Sequence, residues 1–311
     1  VNPAAVIPEA FSATAGDGYP IRGFLWRCPQ GRAADRPVVV INAATSVRCR
    51  YYARFAAYLC ANGLDAVTYD YRGIGESRPP SLRKLEASWS VWGRDDFEAV
   101  LVALAQRFPG QPVHVVGHSI GGFLIGFAPS ARCVRRIVTV GAQFAYWRDY
   151  APRARLRMYL RWHVAMPALT AVLGYLPGRR LGWLEDTPRG VVQDWSGARA
   201  RFEQRRAAAP APGGPAAVSI AHFAAVHADI LALSIDDDDF GTVPAIERAL
   251  AYFTGATRTH LRIAPGLAGL AAVGHFGFFH ERSRARLWPL ALAWLRDACL
   301  APDAPGRVIP R

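Results

Sequence analysis

Residues 112–126, PVHVVGHSIGGFLIG, permit very few folds. PVHVVGH (112–118) has the β-branched composition of a buried strand, and the residues from Ile120 onward read as the start of a helix. Between them stands Ser119, crowded by Gly117, Gly121 and Gly122. The pentad G-x-S-x-G arises by chance often enough to mean little alone. A strand before it and a helix after it make it specific. A turn that sharp strains the backbone at its serine, and glycines at 117 and 121 remove the side chains that would clash there. The serine hydroxyl is then lifted above the carboxyl edge of a sheet, where α/β folds place their ligands. Ile120, heading the helix, would aim its N–H at a developing oxyanion. The competing reading is a glycine-rich packing turn with no chemistry.

The rest of the chain supports a parallel sheet. Two short strands flank a turn at 16–20, a hairpin signal. RPVVVINAA (36–44), LDAVTYD (64–70) and RRIVTVGA (135–142) read as buried strands. RYYARFAAYLCANG (50–63) and WGRDDFEAVLVALAQRFPG (92–110) read as helices, the second carrying Asp95 and Asp96 in its first turn, where the helix dipole favours carboxylates. From 143 to 225 no clear strand appears. This segment is rich in Arg and aromatics, including Trp147, Tyr150, Tyr159, Trp162, Trp183 and Trp195, and ends in the loop AAAPAPGGPAA (207–217). The alternation resumes with a strand at 229–235, a helix at 243–253, a strand at 260–264 and a last helix at 283–300. The expected organisation is an α/β core in two parts, 1–142 and 226–300, a helical cap insertion at 143–225, and a loose tail at 301–311.

Half the 311 residues are hydrophobic and a fifth are charged, as in a globular protein. No apolar run is long enough for a membrane span, and the N-terminal residues carry no secretory pattern, although the lack of an initial Met points to trimming. Five scattered cysteines without C-x-x-C spacing suit free thiols in a reducing cytoplasm and argue against structural zinc. The net charge of +13 is nearly all arginine, with Lys84 the only lysine. Together with abundant Ala, Gly and Pro, this reads as codon bias, so no nucleic-acid partner is expected. The sequence sets no oligomeric state.

A serine hydroxyl needs a base, and the base needs orienting. With the serine first, the order on this kind of sheet is acid, then histidine. The acid should follow the strand at 229–235, where four consecutive aspartates, Asp236 to Asp239, stand. A solvated acidic turn or a cation site are the alternatives there. The base should follow the last strand, which selects His275, beside Gly274. His280 falls at the start of the last helix, suited to capping or packing. His118 reads as a packing or lining residue and His114 as core. The second oxyanion donor should come from the loop NAATSVR (42–48), where small Ala43 and Ala44 permit close approach. The Ala44 N–H is favoured, with Thr45 next. Asp70 and Glu76 in DYRGIGES (70–77) are expected to be structural, Asp70 binding local N–H groups.

These residues resemble the α/β-hydrolase fold family over nearly the whole chain. DYRGIGES is similar to that family's D-x-R-G-x-G-x-S turn and GHSIGG to its elbow. A nearer likeness is to bacterial serine hydrolases with LGYLPGRRLGWLEDTPRGVVQDW in the insertion and GHFGFF at the histidine. Their acid loop, S-x-x-D-D-P-x-x-T, laid over SIDDDDFGT, puts the acid on Asp238, with Asp237 second; Asp239 stands where they have Pro. NAA stands where the family has His-Gly at the oxyanion loop. The resemblance implies an α/β-hydrolase fold with a helical cap and a Ser119–His275–Asp238 triad cleaving an ester or thioester without a cofactor or metal. A serine nucleophile disfavours dehalogenase and epoxide-hydrolase chemistry. An acyltransferase, a cofactor-free haloperoxidase or a non-catalytic binding protein are the alternatives. The insertion's aromatics are placed to line an acyl pocket, and its arginines to meet an anionic substrate or a lipid surface, or simply solvent.

Overall fold

The computed structural model describes residues 7–28, 36–205 and 220–310. A nine-stranded sheet runs in the order β1-β2-β4-β3-β5-β6-β9-β10-β11. Its strands are β1 (Glu9–Thr14), β2 (Pro20–Trp26), β3 (Val38–Asn42), β4 (Asp65–Asp70), β5 (Val113–His118), β6 (Val134–Val140), β9 (Asp229–Ile235), β10 (Thr257–Ile263) and β11 (Gly306–Val308). The six from β4 to β10 are parallel, and the β1–β2 hairpin and β11 close the two edges antiparallel. Every residue of β3 and β4 is buried, which is why these strands show no polar alternation. Helices flank the sheet in two groups. In one, Phe55 and Tyr58 of the helix Ala53–Ala61 meet Trp288 of the helix Trp288–Asp297, with ring centroids 5.3 and 5.2 Å apart. In the other, Phe123 packs on Phe223 and Tyr252.

Several expected elements change at their ends. The helix read at 50–63 begins as a 3-10 turn, Cys49–Tyr52, and stops at Asn62, with Gly63 left-handed at φ 87°. The helix read at 92–110 begins with a π-helical stretch, Trp92–Phe97, before the α-helix Glu98–Arg107. Asp96 there is fully buried, 2.7 Å from Nε of Arg72, rather than serving only the helix dipole. The last helix is shorter than 283–300 because Pro289, which cannot sit inside a helix, lies in its first turn. His280 precedes a separate 3-10 turn, Glu281–Ser283, and is exposed beside Tyr51.

Two expectations are corrected. The tail is not loose: β11 pairs Val308 with Leu261 and Gly306 with Ile263. Three residues are too few to show a period, but they satisfy backbone groups that β10 would otherwise leave open at the edge. The described residues between β6 and β9 are mainly helical, yet they hold a small ladder, β7 (Tyr175–Leu176) with β8 (Thr187–Pro188). The loop read at 207–217 lies outside the described residues.

The register fixes where the chemistry sits. Asn42 of β3 lies beside Gly117 of β5, His118 beside Val140 of β6, and Ile235 of β9 beside Ile263 of β10. The loops after β3, β5, β6, β9 and β10 therefore emerge along one edge.

Candidate active site

Ser119 leaves β5 with φ 54° and ψ −127°, a conformation that L-residues avoid. Its neighbours show why the turn holds. A Cβ on Gly117 would lie 2.4 Å from Gly122 Cα, and one on Gly121 would lie 2.5 Å from the carbonyl oxygens of Asn42 and Ala43. Side chains at either place would drive the elbow off the sheet. Ile120 heads the helical turn Ile120–Phe123, so its N–H has no intrahelical partner.

His275 Nδ1 lies 2.8 Å from Asp238 Oδ2. The carboxylate is the acceptor, so the imidazole donates from Nδ1. Burial pushes the Asp238 carboxyl up, but the imidazole beside it and the N–H groups of Phe240 and Gly241 outweigh that and hold it below the ordinary value. The Asp237 carboxylate accepts instead from the N–H groups of Val273 and Gly274, 2.9 and 2.8 Å away, fixing the loop that carries the histidine.

Ser119 and His275 open into the same cavity. The serine hydroxyl, however, accepts a hydrogen bond from Gln143 Nε2 at 3.3 Å, and no hydrogen bond joins it to His275 among the described residues. Sequence reading did not single out Gln143. Its one signal is its place, three residues beyond the end of β6, where side chains reach this edge.

Ala44 also lines the cavity, but its N–H donates to Tyr52 Oη at 2.9 Å. This corrects the expectation that it is the free oxyanion donor. Thr45 follows it into the cavity, and its N–H makes no hydrogen bond with the described residues. Tyr52 Oη in turn lies 2.8 Å from His118 Nδ1, and His118 Nε2 lies 2.9 Å from the His275 carbonyl oxygen. A carbonyl only accepts, so Nε2 bears the proton and Nδ1 accepts from the tyrosine. Burial and the neighbouring His275 push His118 down to about 3, leaving it neutral. His118 is thus a fully buried strut between the loop after β3 and the loop after β10. Tyr51 adds a second strut, its hydroxyl donating to the Phe276 carbonyl at 2.8 Å.

Asp70 accepts from the N–H groups of Cys49 and Glu76, at 2.6 and 2.8 Å, away from the cavity. His114 is buried in β5, and burial pushes it down to about 4.

The cavity has a volume of about 230 Å³. Trp89, Trp162, Trp183, Trp195, Phe240 and Phe276 are the large aromatic side chains in its walls. Three of the insertion's six named aromatics, Trp162, Trp183 and Trp195, are among them. Tyr150 stands behind, accepting from Trp195 Nε1 at 3.2 Å, while Trp147 and Tyr159 pack on each other. Arg161 lines the cavity, and no carboxylate does so among the described residues.

A mostly parallel sheet covered by helices, with a strained serine at the end of a central strand, defines an α/β hydrolase. Within that class the chain belongs to the family described as serine aminopeptidase, S33, whose model matches residues 33–191, just over half of it. That span holds Ser119 and the loop after β3, and stops short of Asp238 and His275. The fold is shared with a hypothetical protein from Pseudomonas aeruginosa (TM-score 0.59, 15% identity, 95% of each chain covered). It is shared too with an esterase from Pyrococcus furiosus (0.57, 14%, 94% of this chain and 92% of that one). A serine hydrolase without a lid from Xanthomonas campestris also matches (0.51, 14%, 93% and 94%). No curated protein matches the chain.

Proposed function

We propose that this hydrolase cleaves a small carboxylic ester or thioester through Ser119, His275 and Asp238. One observation carries the reading: a serine held at φ 54° shares a cavity with an imidazole whose Nδ1 is bound 2.8 Å from a buried carboxylate. In this reading the Ser119 hydroxyl exchanges its Gln143 contact for His275 Nε2 when substrate enters the cavity they share. The hydroxyl oxygen attacks the acyl carbon while Nε2 takes its proton, and Asp238 holds the imidazolium that forms. The N–H groups of Ile120 and Thr45 receive the oxyanion. The imidazolium returns the proton to the leaving alcohol or thiol, and water repeats the sequence to free the acid.

An ester is favoured over a peptide with a free N-terminus. An aminopeptidase needs a carboxylate to hold the substrate's ammonium group. The cavity's described lining offers only the positive Arg161, which would repel it. Residues 143–225 act in this reading as a cap, their tryptophans forming an acyl pocket.

The test is a chain-length panel of nitrophenyl esters and acyl thioesters run beside Ser119→Ala. The expected result is turnover on short esters that falls at least ~10³-fold in the variant. Labelling by an active-serine probe should vanish with it. Labelling that persists in Ser119→Ala, or no turnover on any member of the panel, overturns the proposal. Product analysis with an added alcohol or peroxide separates hydrolysis from acyl transfer and perhydrolysis.

A further inference from the structure

Large apolar side chains are exposed at nine described positions, and five of these fall between residues 156 and 181. Leu156, Leu160 and Val164, at 70%, 51% and 46% exposure, recur every four residues. They lie along a continuous helical stretch made of Arg155–Tyr159, Leu160–Ala165 and Met166–Leu173. The spacing keeps them on one face. Arg153, Arg157 and Arg161 repeat at the same interval beside them, and a groove is lined by these arginines together with Leu156, Leu160 and Trp183. Arg161 and Trp183 also line the Ser119 cavity, so groove and cavity adjoin.

The charge of this region is one-sided. Residues 150–184 contain six arginines and neither Asp nor Glu. Asp239, from the turn after β9, lies 2.8 Å from Arg153 and 3.7 Å from Arg157, and Glu185 lies 3.9 Å from Arg179. Arg161 has no carboxylate partner among the described residues and stacks on Trp183, 5.0 Å from the ring centroid. Two copies of a chain with net charge +13 would repel if they met on this face. Exposed leucines alternating with arginines fit instead an interface that is apolar below and negative above.

We propose that the face formed by residues 153–164 and Trp183 is a docking surface for an anionic lipid bilayer. Leu156, Leu160 and Val164 enter the boundary between headgroups and acyl chains, and the arginines meet lipid phosphates. No described helix is long and apolar enough to cross a membrane, so the chain would lie on the bilayer. The cavity mouth would then open where lipid-borne esters are concentrated. The docking itself does not require the hydrolytic reading to hold.

The test is co-sedimentation of the full chain with vesicles of phosphatidylcholine alone, or mixed with phosphatidylglycerol. Binding should be at least ~10-fold tighter to the anionic vesicles and should weaken with salt. Leu156→Ser with Leu160→Ser should reduce it by roughly tenfold or more, and Arg157→Gln and Arg161→Gln by roughly fivefold each. Circular dichroism should show the double leucine variant and both arginine variants folded, since these side chains are exposed. Binding that is absent, indifferent to the anionic lipid, or unchanged in the leucine variants overturns the proposal. So does sedimentation equilibrium showing self-association that the leucine variants abolish, which would assign the face to a second copy.

Discussion

Replacing His118 by Phe tests the strut between the two loops. A phenyl ring keeps the packing against Phe276 and Phe279, whose centroids lie 5.4 and 5.0 Å away, while both hydrogen bonds go. The Tyr52 hydroxyl then loses its acceptor and the His275 carbonyl its donor. An orphaned buried polar group costs ~1–3 kcal/mol, with the partly buried carbonyl at the low end, so the sum is about 2–4 kcal/mol near neutral pH. The pH dependence gives an independent check. His118 is pushed down to about 3 in the fold, so below the ordinary histidine range only the unfolded chain takes its proton. Wild-type stability therefore falls on acidification from about pH 6.5, and by about pH 5 His118 accounts for ~2 kcal/mol of that loss. The Phe variant lacks this component, and the gap between the two proteins should narrow by that amount. Urea unfolding at several pH values measures both quantities. Turnover should fall roughly tenfold to hundredfold, because the loop carrying the proposed base, His275, loses an anchor. Stabilities within ~0.5 kcal/mol near neutral pH, or curves that run parallel with pH, would refute the strut.

Gly141 has φ 60°, and a Cβ on it would stand 3.0 Å from both Asp238 Oδ2 and His275 Nδ1; Gly141→Ala should cut kcat roughly 10²-fold, measured at equal folded fraction. Asp238→Asn should lower kcat by about 10⁴-fold. Asp237→Asn should cost ~1–2 kcal/mol in urea unfolding while kcat stays within about tenfold; the reverse ranking would make Asp237 the acid. Arg205→Gln strands Asp194, paired at 2.6 Å with both side chains nearly buried, and should lower stability by about 3–5 kcal/mol in the same unfolding assay.

The sheet was readable because β3 is a run of β-branched residues buried on both faces, and because β4, which buries Asp65, Thr68 and Asp70 as well, is bounded by a helix end before it and a glycine-rich turn after it. The elbow was readable because its glycines stand within three residues of the serine, even though the backbone that Gly121 makes way for, at Asn42 and Ala43, is distant in sequence. What escaped depends on partners distant in sequence. Nothing near Ala44 says that Tyr52 will take its N–H, and nothing near Asp96 points to Arg72. The likeness of His118 to a lining residue hid its two hydrogen bonds. Gln143 and β11 were missed for a simpler reason: one amide and three residues carry no period.

The run Asp236–Asp239 shows how long-range partners resolve a local conflict. Four adjacent carboxylates repel, and a shared cation would be one remedy. The fold instead sends each to its own counterpart. Asp236 meets Arg262 of β10 at 2.7 Å, Asp237 the 273–274 backbone, Asp238 the imidazole and Asp239 Arg153. The Asp239 carbonyl also accepts from the Ala151 N–H at 3.0 Å. Just upstream, Asp149 receives Arg248 Nε at 2.5 Å, and its carbonyl accepts from the Thr242 hydroxyl. The first turns beyond β6 are therefore fastened at Asp239 and Thr242, to the part of the turn that follows Asp238. A shift of the 147–157 segment cannot leave that carboxylate in place unless one of these bonds breaks first. The 147–157 segment and the Asp238–His275 pair are thus held by one and the same turn.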